Sequence, residues 1–396
     1  MSKFKYFPSF SVAGFGQALR KNLVLRNGLP SRFYSKDFPE KYRHNEFLIS
    51  AGHFLNHSDL YGEHGFTSDN LIMGDSGGFQ IASGALKWDK SLLEKVFVWL
   101  EHNSDIAMNL DIPPKMTYEG MYEECLRISK DNFKYFADKQ TGNTDFLNVV
   151  QGTNEIEYMN WYDQIKEFPF QGWAIGGGGR SIYAFMSGVL SLLNGKEHLK
   201  DSNKWLHILG ISKISDFLML NQLQKSLDEV GSKIVVTTDS SSPDRAVVFG
   251  GYYLDYDFRK ASFQSINIPK RDDTFKDQTF KYLPVSTEFD KEHLRDVLHW
   301  EDAIAWKSEC TTAMRLHNFM VFKEAIDKAE YYVHSHDYIL KQVVSKDMYE
   351  LLKSLDKMVK SDNPIQVFEK YKQLYTKMSR LNKETPIKKH NFWGEQ

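Results

Sequence analysis

Cysteine is nearly missing from this 396-residue chain, which carries only Cys125 and Cys310. Two thiols cannot build a disulfide framework, and they cannot supply a cysteine-rich zinc site. Long apolar runs are missing too, and a mean hydropathy of -0.48 leaves no segment suited to spanning a bilayer. The opening MSKFKYFPSFSVAGFG lacks the apolar block and cleavage pattern of a leader, so the expectation is a cytoplasmic protein with no membrane partner. A dominant charge sign is absent as well: 50 Lys+Arg against 52 Asp+Glu leave -2, so bulk charge does not advertise a nucleic-acid binder. The balance is uneven, however. From Leu340 onward 12 basic residues face 7 acidic ones, which fits either a phosphate-binding surface or a solvated lysine-rich helix face.

What is present suffices for a folded core: 41% hydrophobic residues, 14% of the chain aromatic. No repeat or low-complexity stretch stands out. Between about Phe47 and Asp239, short apolar runs alternate with longer amphipathic ones. FLISAG, NLIMG, DIAMNL, FLNVV, GWAIG, WLHILG and KIVVTT read as strands, with NLVL near the start as a candidate eighth. SLLEKVFVWLEH, YEECLRISKDNFKYFADK, EIEYMNWYDQIKEF, IYAFMSGVLSLL and ISDFLMLNQLQKSLDEV read as the helices between them. This alternation implies parallel βαβ units, hence a doubly wound sheet or a barrel. From about Glu288 the pattern turns helical, through HLRDVLHWEDAIAW, MRLHNFMVFKEAIDKAEYYV and MYELLKSLDKMVK. We therefore expect a catalytic α/β domain over residues 1–287 and a helical extension with a basic tail over 288–396, ending in a loosely held LNKETPIKKHNFWGEQ.

Five polar or glycine-rich motifs each begin where an expected strand stops. Asp75 follows LIMG, Asp111 follows AMNL, Gln151 follows LNVV, Gly176 follows WAI and Asp239 follows VVTT. In a parallel barrel those ends converge on one face, where active sites are built. Asp75, Asp239 and Asp111 then offer acid/base and nucleophile roles without a metal or cofactor, the usual equipment for cleaving a glycosidic bond. Gly77 and Gly78 in GDSGGFQ, and Gly176–Gly179, would let backbone approach a flat ligand, although for GGGG taken alone an ordinary βα loop is the better account. Asp, Gln and backbone amides together suit the donor–acceptor edge of a guanine-like ring.

DSGGFQ (Asp75–Gln80) resembles the signature of the tRNA-guanine transglycosylase family. The likeness runs in order through NLDIPP around Asp111, VVQGT around Gln151, GWAIGGG around Gly176 and TDSSSPDR around Asp239, and more weakly through RLHNFMVFKEAI. By this resemblance the fold is a modified TIM (β/α)8 barrel. Asp239 matches the nucleophile that holds the sugar covalently, and Asp75 the general acid/base. Ser76, Asp111, Gln151 and Gly177 match positions that hydrogen-bond the base, with Gly176 beside them and Phe79 stacking near the ring. No soluble cofactor is implied, because one base is exchanged for another. The free deazaguanine base and the polynucleotide are the partners.

The sequence departs from the family in three places. The zinc module of three cysteines and a histidine is missing, with only Cys310 and His317 in the corresponding region; His334 and His336 read better as residues of a solvated helix or turn. After Asp239 the family pattern Pro-Thr-Arg-x-x-Arg-Asn-Gly becomes PDRAVVFG, which keeps Pro243, Arg245 and Gly250 but puts Val248 and Phe249 where polar residues face the anticodon. Arg245 is the candidate nucleic-acid contact, with a surface salt bridge as the plain alternative. Finally, Gly-Gly-Leu-x-x-Gly-Glu becomes GGGGRS, and the lost carboxylate favours neutral 7-cyano-7-deazaguanine over a cationic base. These departures resemble the DNA-acting branch, the 7-deazaguanine DNA transglycosylases of phages and bacterial modification clusters. DNA is therefore the expected polymer and tRNA the alternative.

Rival functions belong to other classes. A TIM-barrel glycoside hydrolase acting on free sugars would use the aspartates but not DSGGFQ. A non-catalytic partner subunit would be expected to lack Asp239, and a bare polynucleotide-binding protein would leave the converging aspartates unexplained. A base in a duplex must be flipped out before a carboxylate can reach its sugar. The sequence offers no obvious helicase or wedge motif, so accessory proteins are a further expected partner class.

Overall fold

The computed structural model describes residues 4–10, 14–57, 59–82, 84, 86, 87, 89–114, 121–177, 179, 181–269 and 281–384. Eight parallel strands form its centre: β1 (Lys5–Pro8), β2 (Glu46–Ser50), β3 (Leu71–Asp75), β4 (Ile106–Met108), β5 (Asp145–Val150), β6 (Gly172–Ile175), β7 (Trp205–Ile208) and β8 (Val235–Ser240). Their order is β1-β8-β7-β6-β5-β4-β3-β2, and a parallel bridge from Ser9 to Leu48 joins the two ends. With helices alternating along the chain, this is a TIM-like (β/α)8 barrel followed by a helical C-terminal region. The strands are short and apolar because both faces are covered: Phe146, Leu147, Val149 and Val150 of β5 are all fully buried.

Side-chain caps set where several helices start. Asp89 accepts from Leu92 N, Asn154 from Ile156 N and Glu157 N, and Ser181 from Ala184 N, so these caps fix the first turns of the helices Lys90–Asn103, Glu155–Ile165 and Ile182–Asn194. Each cap fixes how far a polar loop extends over the barrel mouth.

Seven expected strands lie at β2 to β8, but the eighth is Lys5–Pro8 and not NLVL. Val24 instead forms an isolated antiparallel bridge to Pro30, inside a tight turn around Gly28. Pro8 can end β1 because a strand's last residue need not donate to the ladder. A two-stranded hairpin, β9 (Gly251–Asp257) with β10 (Ser262–Asn267), follows β8 and breaks the strand–helix alternation. Beyond it, HLRDVLHWEDAIAW is no continuous helix: a π-helical turn spans Asp290–Leu294 and a short α-helix spans Trp300–Ile304. The long helix Ser308–His334 packs on the helix Ile214–Glu229 and on β9, and Pro364–Glu384 packs on Ile182–Asn194. Residues 385–396, most of the expected loose end, lie outside the described residues. Among the described residues no helix is long and apolar enough to cross a membrane.

Candidate active site

The C-terminal strand ends open into a cavity of about 620 Å³, within the range of small-molecule sites. Asp75, Asp111, Gln151 and Asp239 line it, together with Gly176, Gly177 and Arg245. Sequence positions 170 residues apart thus share one wall because the barrel brings every strand end to the same face.

Asp239 is held by neighbours that the motifs do not announce. Gly210 N donates to Asp239 Oδ1 at 2.7 Å, and His207 Nε2 lies 3.3 Å from the same oxygen. Gly210 has φ +71°, the left-handed region that favours glycine. His207 is fully buried on β7, and its Nδ1 lies 2.8 Å from Thr237 Oγ1. Thr237 and Asp239 are two apart on β8 and share a face, so one imidazole spans both. Both of these contacts go to Oδ1, which leaves Asp239 Oδ2 unpartnered among the described residues. An oriented carboxylate with one free oxygen has the geometry of a nucleophile.

Asp75 ends β3 opposite Ser50 in register. Burial pushes its carboxyl above the usual carboxylate range and the negative charge of Asp239 adds to the effect, while the Ser50 hydroxyl and Gly77 N, 3.4 Å away, oppose it. Asp111, 6% exposed, is pushed up to about 7, chiefly by burial and further by the charge of Asp75, against a 2.7 Å hydrogen bond from Gln151 Nε2. The negative charge of Asp239 thus raises Asp75 and that of Asp75 raises Asp111, each adding to the larger effect of burial. An Asp75 carboxyl raised by burial, in one cavity with an Asp239 that keeps a free oxygen, suits an acid–nucleophile arrangement. The Asp111–Gln151 pair presents both acceptor and donor atoms, as the edge of a flat heterocycle requires.

The glycines divide their work. A Cβ on Gly176 would lie 2.2 Å from Gln151 Nε2, so glycine is needed there for Gln151 to lie against the backbone. Gly176 N donates to Val150 O at 2.8 Å and its carbonyl accepts from Tyr158 OH at 2.6 Å. Its N–H is therefore committed to the fold, and its role is clearance. Gly177, with φ +74°, turns the chain along the cavity wall.

One candidate falls outside the cavity lining. Ser76 is buried behind it, donating Oγ–H to Asn109 O at 3.2 Å. Phe79 lies in the short helix Gly78–Ala82, and its side chain is outside the described residues. Arg245, on the helix Ser242–Val248, is exposed at the cavity edge and pairs with no carboxylate among the described residues. The same helix is anchored by Asp244, whose Oδ1 accepts from Arg315 Nε at 2.7 Å, both side chains being nearly buried.

The C-terminal lysines are partly committed to ion pairs: Lys353 with Asp337, Lys360 with Glu229 and Asp356, Lys372 with Glu155 and Lys377 with Asp347. The residues present do not fit a zinc ion either. His317 Nδ1 is 2.9 Å from Asp290 Oδ2 and its Nε2 meets Tyr253 O, while Cys310 Sγ–H points to His299 O. His336 caps the helix Asp337–Val343, with its ring accepting from Tyr338 N. Among the described residues no group of three or more His, Cys, Asp or Glu could hold a metal ion. No family model matches the chain, and no curated protein matches it.

Proposed function

We propose that this chain exchanges guanine in a polynucleotide, DNA in preference to tRNA, for a 7-deazaguanine, with 7-cyano-7-deazaguanine the favoured incoming base. The observation that carries this reading is the meeting, in one cavity, of an oriented Asp239, a buried Asp75 and the Asp111–Gln151 edge.

The steps balance without a cofactor. Asp239 Oδ2 attacks the anomeric carbon, the bond to guanine N9 breaks, and its electron pair leaves with the base. The Asp75 proton neutralises the departing guanine. The incoming base then gives its N9 proton to the Asp75 carboxylate, N9 attacks the anomeric carbon, and the ester electrons return to Asp239. Each aspartate ends as it began. Asp111, once it releases its proton near pH 7, accepts the ring N–H and amino donors of the base, with Gln151 beside it to complete the edge. DNA is favoured over tRNA because apolar Val248 and Phe249 occupy the segment following Asp239.

The test is a stalled reaction. Wild-type protein incubated with a guanine-containing oligonucleotide and no incoming base, then denatured, should carry a covalent adduct, and Asp239→Ala should carry none. An adduct of equal yield in Asp239→Ala would remove Asp239 from the role.

A further inference from the structure

Val248 and Phe249 are 50% and 73% exposed, at the end of the helix whose first turn lines the cavity. Phe249 N donates to Arg245 O at 3.3 Å, so Phe249 continues the helical path and lies one turn, about 6 Å, beyond Arg245 on the same side. The apolar pair therefore extends the cavity-lining stripe outward.

Its seat is rigid. Val247 beneath it is fully buried. Gly250, with φ +80°, closes the corner, and a Cβ there would lie 2.7 Å from Ile268 O. Ile268 N donates to Gly250 O at 2.7 Å, and Asn318 Nδ2 holds Pro243 O at the helix start. An exposed aromatic ring at the rim of a polar cavity is apolar surface that a flat ligand can cover.

We propose that Val248 and Phe249 are a stacking wedge that enters the base step beside the target nucleotide of duplex DNA, with Arg245 on the adjoining phosphate. The inference rests on the base-exchange reading. Asp239 sits inside a cavity that a stacked, paired nucleotide cannot enter, so the target must leave the helix. The vacated or neighbouring base step then exposes a π-face, and Phe249 offers the matching apolar surface one helical turn from Arg245, which pairs with no carboxylate among the described residues and complements the backbone charge.

The experiment compares wild type, Phe249→Ala and Phe249→Trp. Exchange of labelled deazaguanine is measured on duplex and single-stranded DNA of one sequence, and fluorescence is measured on a duplex with 2-aminopurine next to the target guanine. Because Phe249 is exposed, both variants should fold, which circular dichroism checks. The ratio of duplex to single-strand labelling should fall about 5- to 150-fold in Phe249→Ala, the range of one lost stacking contact, and recover in Phe249→Trp. Wild type should raise 2-aminopurine fluorescence and Phe249→Ala should not. An unchanged ratio with unchanged fluorescence overturns the wedge, as does a shift from dimer to monomer in Phe249→Ala with DNA behaviour intact. Fluorescence enhancement without any exchange by wild type would keep the wedge and reject base exchange; exchange with no Phe249-dependent signal would do the reverse.

Discussion

Asp111 ties stability to function with opposite signs. Its carboxyl holds a proton up to about pH 7 in the fold, while the ordinary carboxyl releases it near 3.8. Between these values the folded state binds a proton that the unfolded state does not, so the contribution of Asp111 to stability is full below about pH 4 and is lost as pH rises to 7 and just beyond. The whole gap corresponds to about 4 kcal/mol, of which about 3 kcal/mol lies between pH 5 and pH 8.5. Asp111→Asn removes the ionisation and keeps an oxygen for the Gln151 amide, now 2.7 Å from Asp111 Oδ2. At roughly 2 cal/mol/K of unfolding entropy per residue, the variant should gain about 3 °C in Tm over wild type on moving from pH 5 to pH 8.5. The same variant should bind free base about 10- to 150-fold more weakly, because a charged acceptor is lost. Thermal unfolding of both proteins at the two pH values, with base titration by calorimetry, makes the check. A Tm difference that is the same at both pH values would refute the claim that burial holds the Asp111 proton.

Other expectations follow from single contacts. Asp75→Asn should fold normally and turn over about 10²–10⁴-fold more slowly in single-turnover exchange; an unchanged rate would remove it as the acid. Gly176→Ala should raise the KM for the base, because the new Cβ would lie 2.2 Å from Gln151 Nε2 and push that side chain aside, and an unchanged KM would show that Gln151 is not needed in place. His317→Ala should lower stability by about 3–5 kcal/mol in denaturant titration, since it leaves the fully buried Asp290 carboxylate with only the backbone N–H groups of Ser286 and Thr287. A loss under 1 kcal/mol would mean that the Asp290–His317 pair does not brace this region.

Most of the barrel is legible in the sequence because parallel strands covered on both faces must be short and apolar, as β5 is. The first strand is not, since KYFP is four residues ending in proline and differs little from a loop. The hairpin Gly251–Asp257 with Ser262–Asn267 mixes tyrosines with aspartates, so its alternation is weak, although Tyr252 is fully buried. In the site, Asp75, Asp111, Gln151 and Asp239 are legible because each is a polar residue ending or just following an apolar strand. His207 is not, because a histidine inside WLHI reads as core until Thr237 and Asp239 are seen across from it. The Arg315–Asp244 pair joins positions 71 apart, a distance that no local pattern spans. Ser76 stands next to Asp75 but turns inward to Asn109 O, because neighbouring residues at a strand end point to opposite sides.

The most direct test of base exchange offers labelled guanine and labelled 7-cyano-7-deazaguanine to the purified protein with duplex DNA, single-stranded DNA and tRNA in parallel. The account predicts label in DNA, more from the deazaguanine than from guanine, and none with Asp239→Ala. Label in tRNA alone would contradict the choice of polymer, and no label in any polymer from a correctly folded protein would contradict base exchange itself.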